Sequence, residues 1–197
     1  MAQQPSSERE PHGRSRGQET ASEPQLPVAA GPVASDMLEV DVVVEDERWR
    51  SLDGLDAAIA TACARAYAVG AMAPGRPAGI AVALLDDAAV AALNLQFRGK
   101  PKATNVLSFP AAADRAPILG DGAGDIGLGD IVLAYDTVQS EAREAGVPAL
   151  DHVRHLVVHG MLHLLGYDHE ADEQAERMEA LETEILAGMG IADPYAH

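Results

Sequence analysis

The chain has 197 residues, 47% of them apolar and 23% charged, the profile of an ordinary soluble globular protein with one domain and some spare chain. Aromatic residues make up only 4%, so Ala, Val, Leu and Ile must build the core. With 14 Lys and Arg against 31 Asp and Glu, the net charge of −17 excludes a general basic coat for gripping polyanions.

Cys63 is the single cysteine, which excludes an intramolecular disulfide and a Cys-based zinc finger and points to a reducing compartment. Residues 1–30 lack the basic-then-apolar pattern of a secretory leader, and no run of about 18 apolar residues occurs. The expected location is cytoplasmic, with no membrane partner. Residues 1–35 are rich in Pro, Ser, Gln, Glu and Gly and hold almost no branched apolar residue before Val28. They read as a disordered, solvated tail, because so little apolar surface cannot offset the entropy of ordering. The folded domain is expected over 36–197.

Leu38 to Val44 alternates apolar and acidic residues and then turns fully apolar, which predicts a strand. Apolar residues at helical spacing predict a helix over 52–69 with Ser51 as its N-cap. Gly79 to Leu85 reads as a second strand, and Asp86-Asp87 as the cap of a helix running to Gln96. A short strand over 105–109 ends at Pro110, and 111–124 reads as a loop of Ala, Asp, Gly and Pro. The fourth strand is 129–134. A helix over 136–145 is closed by Gly146, a long one follows over 149–165, and Gly166 breaks it before an acidic helix over 170–187. Four short strands and five helices without a regular βα repeat predict an α+β domain, a small mostly four-stranded sheet with the helices packed on it.

The long helix near the C-terminus carries His152, His155, His159 and His163, and His169 follows. Residues four apart lie on one helix face a turn apart, so such a pair can close on one ion. Three in a row cannot, since His155 and His163 are separated by about 12 Å of helix rise. The third ligand must come from chain that folds back, and Gly166 supplies the turn. This selects His159, His163 and His169, a neutral set that suits one zinc ion and leaves a coordination position open for catalysis. His152 and His155 read as structural residues, with support of a metal ligand or contact with substrate as the alternative. Asp168 fits either as a group orienting a ligand imidazole or as a turn residue bonding its own backbone. Metzincin proteases share the spacing but place Glu directly after the first His as general base. Here that position is Gly160, which disfavours a peptidase of that type. Met178 and Met189 read as packing residues.

Three blocks in order resemble a known family. They are Leu93-Asn-Leu-Gln-Phe-Arg-Gly-Lys-Pro-Lys-Ala-Thr-Asn-Val-Leu-Ser-Phe-Pro110, then Leu128-Gly-Asp-Ile131, then His155-Leu-Val-Val-His-Gly-Met-Leu-His-Leu-Leu-Gly-Tyr-Asp-His169. The chain is similar here to the YbeY-type single-strand-specific endoribonucleases, bacterial rRNA maturation factors. The resemblance places the family's three metal ligands on His159, His163 and His169 and its catalytic arginine on Arg98. Where the family often has Asp before Val-Leu-Ser-Phe-Pro, this chain has Asn105, which removes a possible carboxylate base. The resemblance implies a zinc-dependent endoribonuclease acting on single-stranded regions of rRNA precursor, with the ribosome or its proteins as further partners.

Arg98 also suits that role by its own chemistry, since a guanidinium fork matches phosphate oxygens and stays charged. With Lys100 and Lys102 it forms the one concentrated basic patch. From the residues alone, balancing nearby carboxylates on a solvated loop is an equal reading. Lys100, Lys102 and Ser108 are the candidate substrate contacts. Thr104 and Ser108 also fit as strand-edge structural residues, and Phe97 and Phe109 as core residues. Two other functions fit the motif: a metal-dependent hydrolase of another substrate class, peptidase-like, and a ribosome-associated factor with a structural metal. The residues leave open whether water or the RNA 2′-OH attacks.

Overall fold

The computed structural model describes residues 37–71, 77–111, 127–169 and 171–196. The tail over 1–35 and nearly all of the loop over 111–124 lie outside the described residues. The first strand, β1 (Leu38–Val44), leads through a 3-10 turn (Glu47–Ser51) into α1 (Leu55–Gly70). Then come β2 (Ala78–Leu85), α2 (Asp87–Arg98), β3 (Val106–Pro110) and β4 (Gly127–Ala134). Three helices complete the chain: α3 (Tyr135–Ala145), α4 (Ala149–Leu164) and α5 (Asp172–Ala187). The α+β class, and the four strands and five helices among the described residues, agree with the sequence reading.

The start of α1 differs from expectation. Ser51 does not cap it; its hydroxyl donates to the Arg48 carbonyl at 2.7 Å, inside the 3-10 turn. Asp46 caps that turn by accepting from the Arg48 N–H, and the fully buried Trp49 pins it by donating Nε1–H to the Leu85 carbonyl at 3.0 Å. The helix starts later, after Gly54. Asp86 does cap α2, accepting from the Ala89 N–H at 2.7 Å. Pro110 closes β3 from within the strand, a position an edge strand tolerates.

The sheet order is β1-β2-β4-β3, with β1, β2 and β4 parallel and β3 antiparallel to β4. Every residue of β2 is buried, as expected of a parallel strand covered on both faces. Alternate residues feed two cores. Ile80, Val82, Leu84, Ile131 and Leu133 join the side chains of α1, α4 and α5, while Ala83, Leu85, Val132 and Phe109 pack with Val90 of α2. Phe97 meets Phe109 edge-on at 5.1 Å, so both rings serve the core. Buried Met178 and partly buried Met189 likewise pack against the main core. Among the described residues no helix is long and apolar enough to cross a membrane.

One contact positions the site. A Cβ on Gly160 would lie 2.9 Å from Ile131 Cδ1 and 3.0 Å from Ser108 Oγ. The glycine therefore lets α4 approach the sheet where β3 and β4 pair, immediately beside His159.

Candidate metal centre

The last two turns of α4 carry His159 and His163 on one face. The helix ends as the sequence predicts. Gly166 takes φ +92°, and the Tyr167 N–H donates back to the Leu162 carbonyl at 3.0 Å. Tyr167 then donates its hydroxyl to the Gly70 carbonyl at 3.1 Å, tying the return segment to the end of α1. His169 follows on that segment. One ring nitrogen from each of His159, His163 and His169 falls within 4.8 Å of the other two, so the three could hold a metal ion. Asp168 acts as a turn residue, its carboxylate accepting from the His169 N–H at 2.7 Å.

Hydrogen bonds settle which nitrogens face inward. His159 Nδ1 lies 2.8 Å from a Glu182 carboxylate oxygen, and His163 Nδ1 lies 3.1 Å from the Tyr167 carbonyl. Neither oxygen can donate, so both Nδ1 atoms carry the protons. The two Nε2 atoms then face each other across 3.1 Å. Donors bound at ~2.1 Å to one tetrahedral ion would sit roughly 3.4 Å apart, close to that spacing. Two ring nitrogens facing each other at this spacing are a donor set that fits a cation. Burial first, and then the charge of His159, push His163 below the ordinary imidazole range, which favours the neutral ligand form.

Glu182 is the residue that the sequence reading missed. It lies on α5, is 1% exposed, and also accepts from His155 Nε2 at 3.2 Å and from the Tyr195 hydroxyl. Burial acts to raise its carboxyl, but the hydrogen bonds from His155, His159 and Tyr195 outweigh this and lower it to about 2. The available signal was a lone acid in the apolar stripe of Met178, Ile185 and Leu186. His155 thus stands outside the trio, as the helix-rise argument requires, and His152 turns away to Glu141 at 2.9 Å.

The basic patch is arranged differently. Arg98 ends α2, and Arg98, Lys100 and Lys102 are exposed. No hydrogen bond or ion pair links their side chains to the trio or to any other described residue. Their connecting backbone is fixed, with Asn94 Nδ2 donating to the Lys102 carbonyl at 2.6 Å and the Lys100 N–H donating to the Asn94 carbonyl at 3.3 Å. Ser108, from the same block, is brought against α4 at Gly160. Thr104 is part-buried beside Asn105, 3.4 Å from its side-chain oxygen. Asn105 itself donates Nδ2–H to Glu141 at 3.0 Å and accepts from the Val106 N–H at 2.7 Å. An Asp there would set two carboxylates face to face.

Comparison with known proteins identifies the family. The family model described as Endoribonuclease YbeY matches residues 45–190, a span that includes the basic patch, the trio and Glu182. The Endoribonuclease YbeY of Azorhizobium caulinodans is 48% identical over 160 residues, covering 81% of this chain and 97% of that protein. That of Rhodospirillum rubrum is 51% identical over 154 residues, covering 75% and 76%. A solution structure from Thermotoga maritima, 23% identical, aligns with a TM-score of 0.45 over 80% of this chain and 99% of that one. With near-half identity extending over three quarters or more of its length, the chain belongs to the Endoribonuclease YbeY family.

Proposed function

We propose that this chain is a zinc-dependent endoribonuclease that cuts single-stranded segments of rRNA precursor during ribosome assembly, in the cytoplasm and in contact with the ribosome or its proteins. The observation that carries the reading is the convergence of three imidazoles in a member of this family. His159, His163 and His169 would hold one ion per chain, leaving a position open toward the substrate. A zinc ion there supplies Lewis acidity toward a phosphoryl oxygen or toward water.

The remaining work falls to the chain's own side chains. Attack on phosphorus places extra negative charge on the non-bridging oxygens, and Arg98 is the group able to meet it with two parallel N–H donors. Lys100 and Lys102 offset the repulsion that a net charge of −17 exerts on RNA. Ser108 offers a hydroxyl to the phosphate from β3. Family membership supports the assignment, as does the lack of a side-chain partner for these cations among the described residues. A metzincin-type peptidase role is disfavoured, because the general-base Glu such enzymes place at position 160 would crowd Ile131 and Ser108.

The deciding experiment compares zinc-loaded, chelator-stripped and Arg98→Ala protein on an RNA that has both stems and loops. Cleavage confined to loops, lost on stripping, restored by zinc and lost again in Arg98→Ala is the expected result. Undiminished cleavage by stripped protein would sink the metal assignment. Tight ribosome binding without any cleavage would favour a binding factor with a structural metal.

A further inference from the structure

We infer that Glu182 is the positioning residue of the metal centre, a buried carboxylate on α5 that fixes the tautomer and aim of His159 and is itself held by His155 and Tyr195. The inference rests on the reading of His159, His163 and His169 as metal ligands.

Packing alone gives no reason for an acid at this position. Its neighbours along the helix stripe, Met178, Ile185 and Leu186, are buried and apolar, and a residue of that kind would complete the core. Taking a carboxylate out of water costs several kcal/mol unless its oxygens are satisfied and its charge is used. Both conditions are met asymmetrically. One oxygen serves His159 Nδ1 alone, at 2.8 Å, while the other accepts from His155 Nε2 at 3.2 Å and from the Tyr195 hydroxyl. The second pair fixes the plane of the carboxylate, and the first bond transmits that orientation to the ring.

The consequences for His159 are chemical as well as geometric. A carboxylate at Nδ1 keeps the proton there and leaves the Nε2 lone pair pointed at the trio. It also raises the electron density that Nε2 can give to a cation, and sets one negative charge behind a neutral ligand set. His163 has only the Tyr167 carbonyl in the same role, 3.1 Å from its Nδ1. The two ligands of α4 are therefore unequal, and His159 is the stronger donor. Tyr195 lies beyond the end of α5, so the C-terminal segment becomes part of the support of the site.

The test measures zinc affinity by competition with a chromogenic chelator and records the visible spectrum of the cobalt-substituted protein. It uses the full chain and the variants Glu182→Gln, Tyr195→Phe and His159→Ala. Glu182→Gln keeps the shape of the side chain and removes its charge. Its affinity for zinc should fall about 10- to 100-fold, the cobalt bands should shift, and excess zinc should restore most of the cleavage rate. Tyr195→Phe, which removes one of two donors on the far oxygen, should weaken zinc by about two- to fivefold. A Glu182→Gln protein that binds zinc with parental affinity while His159→Ala releases it would overturn the inference and leave the trio standing. Retention of zinc by His159→Ala would overturn both. Should Glu182→Gln fail to fold, Tyr195→Phe carries the test, and unchanged affinity there counts against the inference.

Discussion

The histidine trio and the basic patch are built on opposite rules. At the trio, His159 and His163 each have a fixed partner on the nitrogen that faces away from the centre, and their return segment is tied to α1 through Tyr167. On the connection between α2 and β3 the backbone is fixed by Asn94, yet the side chains of Arg98, Lys100 and Lys102 have no partner among the described residues. The difference matches the ligand proposed for each. A cation site needs donors aimed in advance, because reorienting a ring on binding loses affinity. Cations that await a polyanion work best unpaired, since an internal carboxylate would compete with every phosphate.

The largest effect should come from breaking the aimed half. Replacing His159, His163 or His169 with Ala should release the ion and abolish cleavage, whereas His155→Ala should keep the ion. Elemental analysis of the purified variants decides this. Metal retained in His169→Ala would show that α4 alone holds it.

Breaking the unpaired half should give a different signature. Arg98→Ala should cut the cleavage rate by roughly a hundredfold or more, the scale seen when one strong donor to a developing anion is lost. Metal content and melting temperature should stay unchanged, because the guanidinium supports nothing else described. Arg98→Lys should recover only part, as a point charge cannot reproduce the fork. A parental rate in Arg98→Ala would remove this residue from the mechanism.

What could be read from the sequence divides along the same line. The trio was legible because its geometry is local: a helical repeat, a glycine stop and a return of three residues. The buried run of β2 and the cap at Asp86 were legible for the same reason. The start of α1 was misread because helical spacing at Leu52 and Ser51 looked sufficient. The burial of Trp49 and its bond to Leu85, across the sheet edge, instead draw 47–51 into a 3-10 turn. Glu182 escaped because its partner His159 is 23 residues away on another helix. Its position in an apolar stripe was visible, but not which helix would cover that stripe.

The seam between the halves is the approach of α4 to β3. Gly160→Ala would place a methyl 2.9 Å from Ile131 Cδ1 and 3.0 Å from Ser108 Oγ. Overpacking of this kind costs about 1–3 kcal/mol, so chemical denaturation should show a lower midpoint with an unchanged slope. If α4 shifts outward to make room, zinc affinity should drop as well, since His159 moves with it. Unchanged stability would mean that Ser108 swings aside and that the seam is looser than its distances indicate.

The smallest effect near neutral pH concerns Cys63, which belongs to neither half and so tells loss of metal apart from loss of fold. The thiol is fully buried between α1 and the sheet, and burial raises it to about 12, from an ordinary value of 9.0. A group raised on folding adds stability that is complete below the unfolded value and disappears as pH climbs toward the folded one. Stability should therefore be indifferent to this thiol at pH 7 and fall between pH 9 and 12, and Cys63→Ala should remove that part of the decline. In native protein the neutral thiol should react slowly with a thiol reagent at pH 8, because only the thiolate attacks and only an opened chain exposes it. The comparison that matters adds a chelator. If the imidazoles are aimed by Glu182 and Tyr167 rather than by the ion, stripping the metal should leave the labelling rate nearly unchanged. A tenfold faster reaction after stripping would show that the ion also holds the end of α4 in place, and the trio would then be ordered by its ligand instead of ahead of it.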